Sequence, residues 1–132
     1  MKKIIMVTFL IFCSNCVQKN KQDYEEGIKR FNQISNNFIN PNLENGEKIF
    51  NKICITCHLY GAGGSIPLSD KKSWELIARD KKLQDIYVNV INGYSSKNGF
   101  MPKKGACLDC DDKDISDVIS YIYAYHGLII HH

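Results

Sequence analysis

The sequence predicts an all-α fold. Apolar residues recur three and four positions apart in several segments, which is the spacing of one face of an α-helix. No stretch of useful length alternates apolar and polar residues, as a half-buried β-strand does. The chain has 132 residues, of which 44% are apolar, and this suits a single globular domain. We therefore expect one small helical domain.

The first fifteen residues are typical of an export signal. Met1-Lys2-Lys3 is basic, and the run from Ile4 to Phe12 is apolar except for Thr8. This run is too short to span a bilayer, which takes about 20 residues. We predict a signal peptide over residues 1–15 and an exported protein, either periplasmic or anchored to the membrane and facing the periplasm.

The end of this signal points to a lipid anchor. No alanine occurs before Ala62, so an A-x-A-like cleavage site is missing. Instead, Cys13-Ser14-Asn15-Cys16 resembles a bacterial lipoprotein signal, in which Cys16 would be lipidated and become the first residue. Simple secretion and an uncleaved anchor are the alternatives. We expect tethering to the membrane through Cys16.

Residues 16–40 have the composition of a polar tether. They are rich in Asn, Gln and Lys, and such segments bury too little apolar surface to fold alone. A weak amphipathic helix is the alternative, because apolar side chains recur at helical spacing at Tyr24, Ile28, Phe31, Ile34 and Phe38. We expect the tether, followed from Pro41 by a folded domain over residues 41–132.

The first helix of that domain is predicted to begin after Asn42. The Asn42 side chain can cap it, and Glu44 lies in its first turn. Its apolar residues repeat at helical spacing at Leu43, Gly46, Ile49, Phe50 and Ile53. Glycine inside a helix costs about 1 kcal/mol relative to alanine. Gly46 therefore predicts that another backbone, that of the C-terminal helix, presses close to it.

This helix leads into Cys54-Ile55-Thr56-Cys57-His58. Two cysteines two residues apart with a histidine directly behind them are the pattern for covalent c-type haem attachment. The thiols add to the haem vinyl groups, and the imidazole binds an axial position of the iron. Half of a zinc site and a thiol redox pair are the alternatives for these five residues alone.

Met101 decides in favour of haem. It lies in Gly99-Phe100-Met101-Pro102-Lys103-Lys104-Gly105, about forty residues after His58, with helix-forming sequence between. At this separation its thioether can bind the iron from the opposite haem face. We predict one covalent haem c with iron, bound by Cys54, Cys57, His58 and Met101, with His58 and Met101 as the iron ligands.

A glycine-rich loop follows the histidine. Residues 60–67 contain three glycines and Pro67, which permit turns but not regular structure. One carbonyl of this loop is expected to accept the free imidazole N–H of His58, which fixes the ring.

Three more helices are predicted beyond the loop. Ser73 is expected to cap a short helix through Trp74, and a second segment is expected to end at Gly93. A polar loop then leads to Met101. The last helix is capped by Asp111 or Asp112, and its apolar stripe consists of Ile115, Val118, Ile119, Ile122 and Tyr125, with Tyr121 beside it.

Taken together, the haem motif, the glycine loop, Met101-Pro102 and the final aromatic helix resemble a class I c-type cytochrome. Cys107-Leu108-Asp109-Cys110, directly behind Met101, resembles the bacterial cytochrome c-five subgroup. The resemblance covers residues 41–127. It implies four or five helices around one haem, axial ligation by His58 and Met101, and a disulfide from Cys107 to Cys110.

The resemblance also implies how the helices cross and where this chain departs from the family. Gly46 and Phe50 on the first helix would face Val118 and Tyr121 on the last. Family members commonly have a proline eight residues after the ligand histidine, and its carbonyl accepts the imidazole proton. Ile66 stands there in this chain and Pro67 follows, which leaves the carbonyl that orients His58 open.

The predicted function is single-electron transfer between respiratory partners, such as a respiratory complex or a terminal oxidase, and not an enzymatic reaction. The alternative is a haem sensor or peroxidase-like protein with a displaceable Met101. A zinc module built from both cysteine pairs is a third reading, but 49 residues separate Cys57 from Cys107, against about fifteen to twenty in a zinc ribbon.

Charge and the remaining histidines point to no further site. Removing Lys2 and Lys3 from the 17 basic side chains leaves 15 against 14 acidic ones, a net charge of +1 that gives no argument for nucleic acid. His126 is expected to face outward near a helix end, and His131 and His132 to be terminal, so none is assigned to the site.

Overall fold

The computed structural model describes the backbone of residues 2–130 and the side chains of residues 18–130. Helices make up most of this part of the chain, which confirms the all-α prediction. The α-helices are α1 (Lys2–Ile34), α2 (Leu43–Ile49), α3 (Ile55–His58), α4 (Lys71–Asp80), α5 (Leu83–Asn92) and α6 (Asp112–His126). A π-helical turn, Phe50–Cys54, joins α2 to α3, so the two form one continuous helical segment.

Short elements connect these helices. Three 3₁₀ turns lie at Ser35–Phe38, Ala62–Gly64 and Lys103–Ala106. A two-stranded antiparallel hairpin, β1 (Tyr94–Ser95) and β2 (Phe100–Met101), pairs Tyr94 with Met101. Two-residue strands are too short to show an alternating pattern, which is why the sequence predicted only a loop here.

The helix caps lie close to the predicted positions. The Asn42 side chain accepts the Asn45 backbone N–H at 3.0 Å, as expected. Asp111 caps α6, and its side chain and that of Asp114 each accept the other's backbone N–H. The prediction of Ser73 as a cap is wrong, because α4 begins at Lys71 and is capped by Asp70.

The crossing of α2 and α6 confirms the role predicted for Gly46. A Cβ atom there would lie 2.3 Å from the Asp117 carbonyl oxygen and 2.9 Å from Tyr121 Cβ, so only glycine fits. The buried Phe50 ring packs on Tyr121, with 5.7 Å between ring centroids. Tyr121 is thus a facing residue as expected, whereas the other close neighbour of Gly46 is Asp117 rather than Val118.

Asp117 is a fully buried carboxylate at this crossing. It accepts hydrogen bonds from the Asn42 backbone N–H at 2.9 Å and from the side chains of Asn37, Asn45 and Lys113 at 3.0 Å each. Burial opposes its ionisation, but these donors outweigh burial and lower the pKa of Asp117. The carboxylate therefore joins the segment before α2, α2 itself and α6.

Residues 18–38 do not form the polar tether that was expected over residues 16–40. They continue α1 and its 3₁₀ turn, and their apolar side chains pack on the domain. The Phe31 ring lies 5.6 Å from Tyr87 and 5.7 Å from Phe38, which is only 3% exposed. The helical spacing of these residues supplies an apolar face, and α5 and α6 give it a surface to cover.

Polar contacts also join α1 to α5. Tyr24 Oη donates to Asp85 Oδ1 at 2.7 Å, and Asn92 Nδ2 donates to the Asp23 carbonyl oxygen at 2.9 Å. Gly27 is buried against Val88, whose methyl groups would lie 3.0 Å from a Cβ atom at that position. In the part of the chain that the structure describes, no helix is long and apolar enough to cross a membrane. The side chains of the predicted signal peptide and of Cys16 lie outside the described residues.

Candidate haem site

The two motif cysteines lie on the continuous helical segment that runs from α2 to α3. Cys54 ends the π-helical turn and is partly buried, whereas Cys57 lies in α3 and is exposed. Neither thiol is in a disulfide. Burial raises the pKa of Cys54 to about 11, so this thiol stays protonated near neutral pH. A redox pair needs a reactive thiolate, and Cys54 does not provide one.

The histidine of the motif is held by one backbone hydrogen bond. His58 Nδ1 lies 2.7 Å from the Ile66 carbonyl oxygen, to which its N–H can donate. This answers the question that the sequence left open: the residue eight positions after the histidine supplies the carbonyl, although it is not a proline. With Nδ1 used in this way, Nε2 is left as the nitrogen that can bind a metal.

Further bonds fix the loop that carries this carbonyl. The Leu68 N–H donates to the His58 carbonyl oxygen at 2.6 Å. Trp74 Nε1 donates to the Pro67 carbonyl oxygen at 2.9 Å, and the Trp74 ring lies 5.6 Å from the His58 ring. The imidazole is therefore held at Nδ1 by the Ile66 carbonyl and packs against the Trp74 ring.

The glycine loop contacts the turn of the hairpin that ends at Met101. A Cβ atom on Gly64 would lie 1.7 Å from the Asn98 carbonyl oxygen, and one on Gly99 would lie 1.8 Å from the Gly63 carbonyl oxygen. The two backbones thus touch, and no side chain fits between them. Gly64 also has a φ of 80°, a left-handed conformation that favours glycine. This contact joins the histidine side of the site to the methionine side.

Met101 ends β2 and is followed by a tightly wound turn. Lys104, Gly105 and Ala106 all have positive φ, and a Cβ atom on Gly105 would lie 3.7 Å from Met101 Cε. The turn containing these residues contacts the π-helical turn that ends at Cys54. The fold thus brings the turn after Met101 and the cysteine segment together.

The second cysteine pair is separate from the first. Cys107 and Cys110 are bonded to each other with their Cα atoms 5.5 Å apart. They close a short loop between α6 and the Lys103–Ala106 turn that follows Met101, which we call the methionine turn. Because they are joined to one another, they cannot combine with Cys54 and Cys57 in a four-cysteine zinc site.

The donor set fits a covalent haem. The thiols of Cys54 and Cys57 are not in a disulfide and lie one helical turn apart. The imidazole of His58 follows directly, with its Nδ1 already in a hydrogen bond. The thioether of Met101 lies on a segment that contacts the helix of the two cysteines. These are the groups that attach a c-type haem and ligate its iron.

Comparison with known proteins decides the family. A family model described as cytochrome c oxidase, cbb3-type, subunit III matches residues 41–122, more than half of the chain. The chain belongs to the class I c-type cytochromes. This cytochrome therefore carries a covalently bound haem c with iron and transfers electrons to redox partners, which confirms the resemblance seen in its motifs.

Individual relatives agree with this. The cytochrome is 27% identical to cytochrome c-555 of Chlorobaculum tepidum over 90 residues, which cover 67% of this chain and 82% of the relative. It is 31% identical to cytochrome c5 of Ectopseudomonas mendocina over 74 residues, covering 55% and 80%. It is also 26% identical to cytochrome c-555 of Prosthecochloris aestuarii over 84 residues, covering 61% and 84%.

One residue near the site was misjudged from the sequence. His126 was expected to face outward, but it is 7% exposed and lies behind Trp74, with 6.1 Å between ring centroids and 25° between planes. Burial lowers the pKa of His126. The signal was its position seven residues after the buried Ile119, which continues the apolar stripe, whereas its neighbour Tyr125 is 56% exposed. His131 and His132 lie outside the described residues.

Proposed function

We propose that this cytochrome is a single-electron carrier whose haem is attached through Cys54 and Cys57 and whose iron is ligated by His58 and Met101. The observation that carries the proposal is the hydrogen bond from His58 Nδ1 to the Ile66 carbonyl oxygen. It holds the imidazole in one tautomer and one orientation, as the ligand of an electron-transfer haem requires. The haem iron supplies the one-electron couple, and methionine with histidine raises its potential.

The methionine turn supports a carrier rather than an enzyme. Met101 pairs with Tyr94 at the end of β2, and the Cys107–Cys110 disulfide closes the loop that follows the Lys103–Ala106 turn, so the methionine segment is held on both sides. An iron with both axial positions filled leaves no place for a substrate. The relatives named cytochrome c-555 and c5 agree with the carrier reading.

The partners we propose are membrane-bound respiratory redox proteins, such as a respiratory complex or a terminal oxidase. The matching family model is described as a subunit of such an oxidase. Near the site, Tyr60 on the glycine loop is 87% exposed and Phe100 beside Met101 is 68% exposed. Exposed aromatic side chains of this kind suit the small, weak interfaces of redox partners.

We also propose that the protein is exported and lipidated at Cys16, so that it faces the periplasm from the membrane. The basic n-region, the apolar run and the cysteine that follows it support export. Export is also the setting in which the Cys107–Cys110 disulfide persists.

A ligand-binding test separates the carrier from the sensor or peroxidase-like alternative. We expect the ferrous wild-type protein not to bind carbon monoxide and its ferric form to be low-spin, because Met101 fills the sixth position. The Met101→Ala protein should keep its covalent haem, bind carbon monoxide and have a lower potential. A His58→Ala protein should lose most of its holoprotein. Carbon monoxide binding by the wild type, or an unchanged potential in Met101→Ala, would overturn the assignment.

A further inference from the structure

We propose that Arg30 on α1 is a positioning residue for Met101. It acts through Asp112 and Lys104, which together link the N-terminal helix to the methionine turn. The inference rests on the proposed ligation by Met101. It assigns to α1 a role in holding the Met101 ligand. This helix lies outside residues 41–122, where the family model matches.

The first link joins α1 to the start of α6. Arg30 Nε donates to Asp112 Oδ2 at 2.8 Å, and Arg30 Nη2 donates to Asp112 Oδ1, so the guanidinium binds the carboxylate through two parallel bonds. The two side chains are only 30% and 23% exposed. A bidentate pair in this partly buried setting is directional and poorly screened, unlike an ordinary surface ion pair.

The second link joins Asp112 to the methionine turn. Lys104 Nζ lies 4.0 Å from Asp112 Oδ1 and donates to the Cys110 carbonyl oxygen at 2.6 Å. The Lys104 side chain is 23% exposed, so its ammonium is held rather than free in solvent. Arg30 and Lys104 therefore share Asp112 through the same oxygen, Oδ1.

The methionine turn needs such support because its backbone is strained. Lys104 has a φ of 51° and Ala106 a φ of 67°, and residues other than glycine rarely adopt this left-handed backbone conformation. Lys104 lies three residues after Met101, and Gly105 lies next to the Met101 methyl group. Anchoring the Lys104 ammonium favours the strained turn over a relaxed one. Relaxation would move the neighbouring thioether.

The packing of α1 fixes the position of Arg30. Phe31, the next residue, lies against Tyr87, and Phe38 is buried in the same cluster. Besides Lys104, Tyr87 on α5 and Glu26 on α1 also interact with the Arg30–Asp112 pair. The guanidinium is thus held in place by the core and does not reach for Asp112 from a mobile segment.

Imidazole affinity of the ferric holoprotein tests the proposal, because added imidazole competes with Met101 for the iron. We expect Arg30→Ala to bind imidazole about fivefold to tenfold more tightly than the wild type, and Arg30→Lys to lie between the two. Asp112→Asn should resemble Arg30→Ala. Combining Arg30→Ala with Asp112→Asn should give less than the product of the two single effects, because both remove the same link.

Tyr24→Phe is the matched control. It removes a hydrogen bond from the same helix, to Asp85 on α5, without touching Asp112 or the methionine turn. Its imidazole affinity should equal that of the wild type. If Arg30→Ala is no different from Tyr24→Phe, the proposal is wrong, and if Arg30→Ala yields no holoprotein, Arg30→Lys decides by the same comparison. Met101→Ala tests the proposed ligation separately from the role of Arg30. If Met101→Ala leaves the imidazole affinity unchanged, Met101 is not an iron ligand.

Discussion

At the scale of single residues, Asp117 shows how a polar group can be buried at a helix crossing. Its carboxylate is fully buried and has four hydrogen-bond donors, one from the backbone and three from side chains. A buried charge is tolerated only when it is bonded in this way. Removing the carboxylate would take away the acceptor that these four donors share at the crossing.

We expect Asp117→Ala to lower the free energy of unfolding by about 3 kcal/mol. Because the pKa of Asp117 is lowered in the folded state, its contribution is present above the unfolded pKa, at about 3.9. The contribution is lost as pH falls through the folded value, so the difference between wild type and variant should shrink in acid. Denaturant unfolding of the holoprotein at several pH values measures this.

Asp80→Ala is the control for Asp117→Ala. Asp80 forms an exposed pair with Arg79, and such pairs contribute little. A loss in Asp80→Ala equal to that in Asp117→Ala would show that burial of the carboxylate is not what matters.

Residue-scale predictions succeeded where the signal was local. The haem motif, the Asn42 and Asp111 caps and the close approach at Gly46 each depend on a few neighbouring residues or on one residue type. The acceptor for His58 could not be chosen between carbonyls from the sequence, because it depends on the path of the glycine loop. His126 was missed because a polar residue at a helix end is usually exposed, whereas here Trp74 covers it.

At the scale of elements, α1 shows where sequence reasoning failed. Its polar composition suggested a tether, and five apolar residues at helical spacing suggested only a weak helix. What composition does not contain is the surface that α5 and α6 offer to that face. Helical stability in proteins comes mostly from such packing. The hairpin that ends at Met101 was missed because its two-residue strands are too short to show an alternating pattern.

Packing of this N-terminal segment can be tested at Phe38, in the 3₁₀ turn that follows α1. This side chain is 3% exposed in the core cluster, so we expect Phe38→Ala to lower the free energy of unfolding by about 3–5 kcal/mol. Its neighbour Ile39 is 60% exposed, and Ile39→Ala should have almost no effect. If thermal unfolding shows equally small effects for both substitutions, this segment is a polar tether and does not pack on the domain.

The disulfide between the methionine turn and α6 is a second element with a measurable role. Cys107 and Cys110 enclose only two residues, so we expect the Cys107→Ser/Cys110→Ser protein to lose about 1–2 kcal/mol of stability, below the usual range. Haem should stay attached and electron transfer should persist. On heating, or as the pH is raised, the proposed Met101–iron bond should be lost at a lower temperature or a lower pH than in the wild type, as followed by visible absorption. An unchanged bond, or free thiols in the native protein, would contradict this role.

At the scale of the whole molecule, the lipid anchor proposed at Cys16 can be tested directly. If Cys16 is lipidated, the wild-type protein should partition into membranes and carry an acyl mass. Cys16→Ser should change both its processing and its mass. Mass spectrometry of membrane and soluble fractions measures this, and a soluble wild type without acyl mass would show that the protein is simply secreted.

The docking of α1 sets the length of that attachment. Among the residues whose side chains the structure describes, Asp23 is the first that bonds to the domain: its carbonyl oxygen accepts from Asn92, and it lies seven positions after Cys16. Seven residues span about 11 Å as a helix and at most about 25 Å when extended. A lipid on Cys16 would therefore keep the haem domain at the bilayer surface. The lipidated protein would then meet its partners by diffusing in the plane of the membrane. It would reach only docking sites that lie close to the lipid headgroups.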